Sequence, residues 1–322
     1  MKTIDYRRFK EQVASLILTQ GLLLVLNFLF SVLTTRWLAP AGKGELSIAT
    51  TIASIGVQFG IMGLQSAHTY YLSKDRQNLR YVLGNSVGIS VAAGVIAAMI
   101  LCVIRRINAT YIGIDALLLS MSAVMVSVQL FYTFQSQTIL ALNRVGVKNL
   151  LDTSNVIFCL GLVLLLRYRE KVSATGILSI NIGVLLFLTT ASLILICVKK
   201  KVVPCLSLAF LKKTLPYGIL AQLCCLMAYL LLRIDVLMIN RMCGSKQTGI
   251  YSLGVNLADL LSLISSSVGT LLFPVAVTCR DNAERMEFTQ KTGVSVCKTL
   301  LVCSIPMFLL APVGIPIIYG EA

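Results

Sequence analysis

Three charged side chains stand where hydrocarbon is expected. Arg233 and Asp235 lie in the apolar run 216–239, and Asp259 lies in the run 251–278. A charge at the bilayer centre costs about 2.5–3.5 kcal/mol on insertion scales, so it is kept facing protein or a water-filled cavity. An arginine held there offers a planar, permanently charged fork to an anionic ligand such as a phosphate. With the N-terminus inside, Arg233 falls about 10 Å below the outer surface, and Asp259, on the returning helix, about 13 Å down. The two are therefore expected to meet as a structural ion pair or as part of a cavity. Asp235, two positions from Arg233, points to nearly the opposite face and reads as structural.

Other chemistry is scarce. Ten cysteines are scattered through the chain, several inside apolar runs (Cys102, Cys159, Cys224, Cys225, Cys303), and none forms a CxxC pair. They read as small packing residues, not as zinc or redox ligands. His68 is the one histidine, and beside Tyr70 and Tyr71 it reads as interfacial. No GxSxG, HExxH or P-loop pattern occurs, so no enzyme, metal site or cofactor is expected.

These residues must be positioned by membrane helices. The 322-residue chain is 57% hydrophobic and 13% charged, against about 25% charged in soluble domains. Apolar runs near 12–33, 46–66, 82–104, 116–140, 150–167, 176–198, 216–239, 251–278 and 295–319 are helix-length for a bilayer, not the short alternating strands of a barrel. The fold class is all-α polytopic membrane protein with about nine spans, the last interrupted by Pro306, Pro312 and Pro316. The net charge of +15 is then a loop bias, and no basic, aromatic-interleaved domain points to nucleic acid. With the N-terminus inside, the inner segments hold 17 Lys and Arg and the outer loops nine, which favours that orientation. The polar start carries no cleavage signal, so the first helix is read as retained. The basic, proline-containing segment 199–215 divides the chain into an N-terminal lobe (1–198, helices 1–6) and a partial C-terminal lobe (216–322, helices 7–9).

The turn Arg36–Ser47 and the loop Arg241–Ser252 align at an offset of 205, matching Arg36 with Arg241, Gly44 with Gly249 and Ser47 with Ser252. An even number of helices separates them, which makes a parallel repeat about an axis normal to the membrane, an arrangement with the site between lobes. Polar stripes at helical spacing run along the same elements: Gln20, Asn27, Ser31 and Thr34; Ser47, Thr51, Ser54, Gln58, Gln65 and Thr69; Ser122, Gln129, Ser136 and Asn143; Gln222, Tyr229, Arg233 and Asn240; Ser252, Asn256, Asp259 and Ser266. Singly, such residues glue packed helices together. As a set on the first, second, seventh and eighth helices, they are expected to line one hydrated cleft. The candidate lining is Arg233, Asp259, Asn256, Gln222, Tyr229, Asn27, Gln58, Gln65 and Arg36.

The stretch Leu33-Thr-Thr-Arg-Trp-Leu-Ala-Pro-Ala-Gly-Lys-Gly-Glu-Leu-Ser47 resembles the signature after the first helix of polysaccharide flippases. Arg233-Ile-Asp-Val-Leu-Met-Ile239, Gly249-Ile-Tyr-Ser-Leu253 and Val268-Gly-Thr-Leu-Leu-Phe-Pro274 are similar to the seventh and eighth helices of that family. These are the O-antigen and capsule repeat-unit transporters of the multidrug/oligosaccharidyl-lipid/polysaccharide flippase superfamily. The resemblance implies movement of undecaprenyl-pyrophosphate-linked oligosaccharide across a bacterial inner membrane by alternating access, with the N-terminus cytoplasmic. It implies polymerase and glycosyltransferase partners in the same pathway, and cavity cations, here Arg233 and Arg36, facing the pyrophosphate. The coupling ion stays open. Members carry twelve or more helices in two lobes, so a chain with nine is expected to be part of a longer transporter. The alternatives are a cation-coupled multidrug exporter of the same superfamily, which needs acidic residues deep in the first lobe, and an inactive fragment.

Overall fold

The computed structural model describes residues 6–107, 115–142, 144–169, 172–278 and 282–319. Among these the regular elements are all helical: α1 (Tyr6–Ile61), α2 (Leu64–Lys74), a 3-10 turn (Arg76–Asn78), α3 (Leu79–Ile107), α4 (Ala116–Ala141), α5 (Val145–Tyr168), α6 (Ala174–Lys200), α7 (Leu208–Thr278) and α8 (Asn282–Tyr319). Segments within α1 and α3 to α7 are each long and apolar enough to cross a membrane. The chain is an all-α polytopic membrane protein. Of the features read from sequence, Asn143 and the side chains of Ser266 and of 268–274 lie outside what is described.

The two longest helices are hairpins. Arg233 and Asp259 are in contact at 2.7 Å, yet 26 residues of straight helix would hold them about 39 Å apart. Likewise Lys43 Nζ donates to Thr34 Oγ1 at 3.4 Å, across nine residues that would span about 13.5 Å in a rod. The reversals sit at Ala39 (φ 56°, ψ 168°) in α1 and Gly244 (φ 82°, ψ 175°) in α7. Sequence suggests turns over 34–45 and 240–250, whereas each fold leaves one non-helical residue. Pro40 explains the tightness, because a proline's fixed φ and missing N–H suit the first turn of a helix.

Positions 39 and 244 are separated by the repeat offset of 205. The correspondence continues in contact: a Cβ on Gly44 would overlap the carbonyl of Ser245, and a Cβ on Gly249 would overlap the carbonyl of Pro40. Residues 40 and 245, and 44 and 249, are the paired positions, so the contact is reciprocal about a local twofold. Ala39 therefore occupies a backbone well where its repeat mate is glycine. A non-glycine residue there costs about 1–3 kcal/mol. Ala39→Gly should raise the thermal midpoint of the detergent-solubilised protein and Gly244→Ala should lower it. A lower midpoint for Ala39→Gly would refute the strain argument.

The core is built where the second arm of α1, the start of α2, α4 and α6 meet, around Ala49, Ala53, Val57, Leu64, Val126, Leu130, Phe134, Ile177 and Leu178. Five hydroxyls of the polar stripes, those of Thr34, Ser54, Thr69, Ser122 and Ser252, are satisfied on their own helix. Thr34 donates to Phe30 O at 2.8 Å, Ser122 to Leu118 O at 2.9 Å, and Ser252 to Gly249 O at 2.7 Å. They close i−4 or i−3 bonds instead of bridging helices, the alternative that local geometry always offers Ser and Thr. The connection between α6 and α7 covers only 201–207, since α7 starts at Leu208 within the basic 199–215 segment. It is pinned to α3: Asn85 Nδ2 donates to Ser207 O at 3.1 Å, and Ser207 N donates to Asn85 Oδ1 at 2.8 Å.

Candidate functional site

The α1 and α7 hairpins pack on one another, and two polar clefts open along their junction. The one of about 290 Å³ lies between the first arm of α1 and the second arm of α7. Gln20, Asn27, Ser31, Asn256 and Asp259 line it, with Leu23, Leu24 and Phe28 as its apolar wall. Asn256 Nδ2 donates to Ser31 Oγ at 3.0 Å and ties the arms together at its rim. Arg233, on the other arm of α7, donates through Nη2 to Asp259 Oδ2 at 2.7 Å. Both partners keep contact with solvent-accessible space, at 29% and 48% side-chain exposure for Arg233 and Asp259. The cation is therefore held at the cleft edge by a partner that does not bury it.

The larger cleft, about 590 Å³, lies nearer the other end of the hairpins. It is lined by Gln58, Gln65, Ser66, Thr69, Gln137 and Gln222, with Ile61, Tyr70 and Cys225. Gln222 Nε2 donates to the backbone oxygen of Gln58 at 3.0 Å, which crosses from α7 to α1. Beside it the link between α1 and α2 touches α7 by backbone, where Gly63 meets Gly218. An amide offers two donors and an acceptor, so four glutamines with a serine and a threonine make a wall suited to a ligand dense in hydroxyls.

The structure thus brings Asn27, Asn256 and Asp259 together at one cleft, with Arg233 bonded to Asp259 but not itself in the lining, and Gln58, Gln65 and Gln222 at the other. Tyr229 is half-buried one turn before Arg233, and Arg36 is exposed near the fold at Ala39; neither lines a cleft. Asp235 accepts from the Tyr251 hydroxyl and from Val236 N, which fastens the two arms of α7. Gln137, Ser66 and Gln20 were not among the candidates. The α4 stripe followed Gln129 and Ser136, but the position one step on is the one that reaches the cleft, and nothing in the spacing marks it. His68 is also placed differently: it is 2% exposed, packed against Phe134 at 5.5 Å between ring centroids, with both ring nitrogens unpartnered. It lies beyond the membrane-long segment of α1, and burial pushes its pKa down to about 4. Its ring is buried in the protein and neutral at physiological pH. Among the described residues, no group of three His, Cys, Asp or Glu could hold a metal ion.

A polytopic helical membrane protein with polar clefts at the junction of two repeat-related hairpins is the class that fold and site define. The chain belongs to the polysaccharide biosynthesis protein family, whose model matches residues 9–278. No curated protein and no solved structure matches it.

Proposed function

We propose that this protein is a flippase that carries lipid-linked oligosaccharide repeat units, on undecaprenyl pyrophosphate, to the outer leaflet of a bacterial cytoplasmic membrane. It is not an enzyme in this reading, and a polymerase and glycosyltransferases of O-antigen or capsule synthesis would work on either side of it. The observation that carries the proposal is the pairing of an amide- and hydroxyl-lined junction with the Arg233–Asp259 pair. Amides suit the sugar, the guanidinium suits the pyrophosphate, and the lipid tail stays in the bilayer. The lobes 1–198 and 216–322, joined through 199–215 with the N-terminus cytoplasmic, would alternate access by rocking about this junction.

A cation-coupled drug exporter finds less support. The one carboxylate within the membrane-long α5 is Asp152, and it already accepts from Lys148 at 2.6 Å and Tyr132 at 2.5 Å. Expression in a strain lacking its own repeat-unit flippase tests the proposal. Restored surface polymer supports it; membrane-inserted protein that restores none overturns it.

A further inference from the structure

α5 and α6, with Ile139 and Leu142 from the end of α4, enclose a groove of about 270 Å³ that shares no lining residue with the junction clefts and that the transport reading does not use. Its floor includes Leu188 and Ser192, which are buried, and its lip carries Leu150 and Leu195, exposed at 66% and 57%. Exposed leucines on membrane-long helices face hydrocarbon. At one end of the groove stand Arg144, Lys199 and Lys200, all exposed, and among the described residues no carboxylate lines it. The nearest acid on α5, Asp152, is already neutralised by Lys148.

An apolar trough closed by three cations matches one molecule of the surrounding solvent. We propose that this groove is a binding site for an anionic phospholipid. Its phosphodiester lies against Arg144, Lys199 and Lys200, and an acyl chain runs along Leu150, Leu188 and Leu195. Basic pockets between membrane helices hold anionic headgroups in this way, with each Lys or Arg adding to the attraction. The charge count puts this end of the bundle at the inner leaflet, where anionic lipid would act on the short connection 201–207 that leads from α6 into α7. The groove between α3 and α4 serves as a contrast. It is larger, about 550 Å³, but Arg105 is the one cation lining it, so it predicts lipid contact without headgroup choice.

The test is native mass spectrometry of the full chain in detergent, titrated with phosphatidylglycerol, phosphatidylcholine or undecaprenyl pyrophosphate. The wild type should retain phosphatidylglycerol over phosphatidylcholine. Arg144→Gln/Lys199→Gln/Lys200→Gln, all surface changes, should reduce that preference at least about tenfold. Ala191→Trp fills the groove and leaves the charges, so it should reduce phosphatidylglycerol retention as well. Equal retention of the two phospholipids by the wild type, or retention unchanged in either variant, overturns the site. Undecaprenyl pyrophosphate outcompeting phosphatidylglycerol there would overturn the assignment to phospholipid. The substituted residues lie outside both junction clefts, so undecaprenyl pyrophosphate retained equally by wild type and variants belongs to the junction, and the transport reading stands or falls separately on polymer export.

Discussion

Replacing Arg233 with alanine should cut polymer export by at least about 100-fold while leaving the protein inserted and folded. Removing the arginine leaves Asp259 unpaired at bilayer depth, which costs up to about 3 kcal/mol, and a 100-fold loss of export corresponds to about 2.7 kcal/mol. The two are of similar size, so export is compared at matched membrane levels of protein. A second variant divides the remaining explanations. If Arg233 serves only to neutralise Asp259, the double change Arg233→Ala/Asp259→Ala removes the orphaned carboxylate and export returns. If the guanidinium meets the ligand, the double variant stays inactive and Arg233→Lys recovers only part, because an ammonium keeps the charge and loses the fork. Polymer export, measured on cells with matched membrane levels of protein, decides it. Wild-type export in Arg233→Ala removes this residue from the site.

Gly249→Val should be nearly as damaging, for a steric reason. The two hairpins meet backbone to backbone at Gly44 and Gly249, and a side chain at either position runs into the carbonyl of Ser245 or Pro40. A carbonyl fixed in a helix cannot give way as a flexible side chain would. Overpacking of this kind costs about 1–3 kcal/mol, and here it acts on the joint between the repeats. Spin labels on the exposed positions Ala41 and Lys246, in a cysteine-free background, should report a longer and broader distance in the variant, with reduced export. Gly254→Ala is the control: a Cβ there meets nothing within 4 Å, and exchanging a mid-helix glycine for alanine stabilises by about 0.5–1 kcal/mol. The same class of substitution should thus shift the midpoint in opposite directions at 249 and 254. An unchanged label distance and midpoint in Gly249→Val would show that the joint is not closed through this contact.

An offset of 205 drawn from three identities is the offset that relates the folds at Ala39 and Gly244 and the reciprocal contact of Gly44 with Gly249. It was legible because both copies of the turn must solve one geometric problem, and small residues are what that solution requires. The approach of Arg233 to Asp259 was legible too, since depth along antiparallel helices follows from counting residues at a fixed rise.

What the sequence by itself determined, then, is that membrane-length helices carry charge and amides in two repeat-related hairpins. Hydrocarbon tolerates no unpaired backbone and few charges, so composition and run length leave little choice. The tertiary structure alone decided which faces meet. It brought Gln137 of α4 to Gln58, Gln65 and Gln222, buried His68 against Phe134, and turned the hydroxyls of Thr34, Ser54, Thr69, Ser122 and Ser252 back onto their own helices. Helical periodicity defines each face only relative to its own axis. The rotation of one helix against another is set by side-chain packing across the whole bundle, and no single segment's spacing contains it.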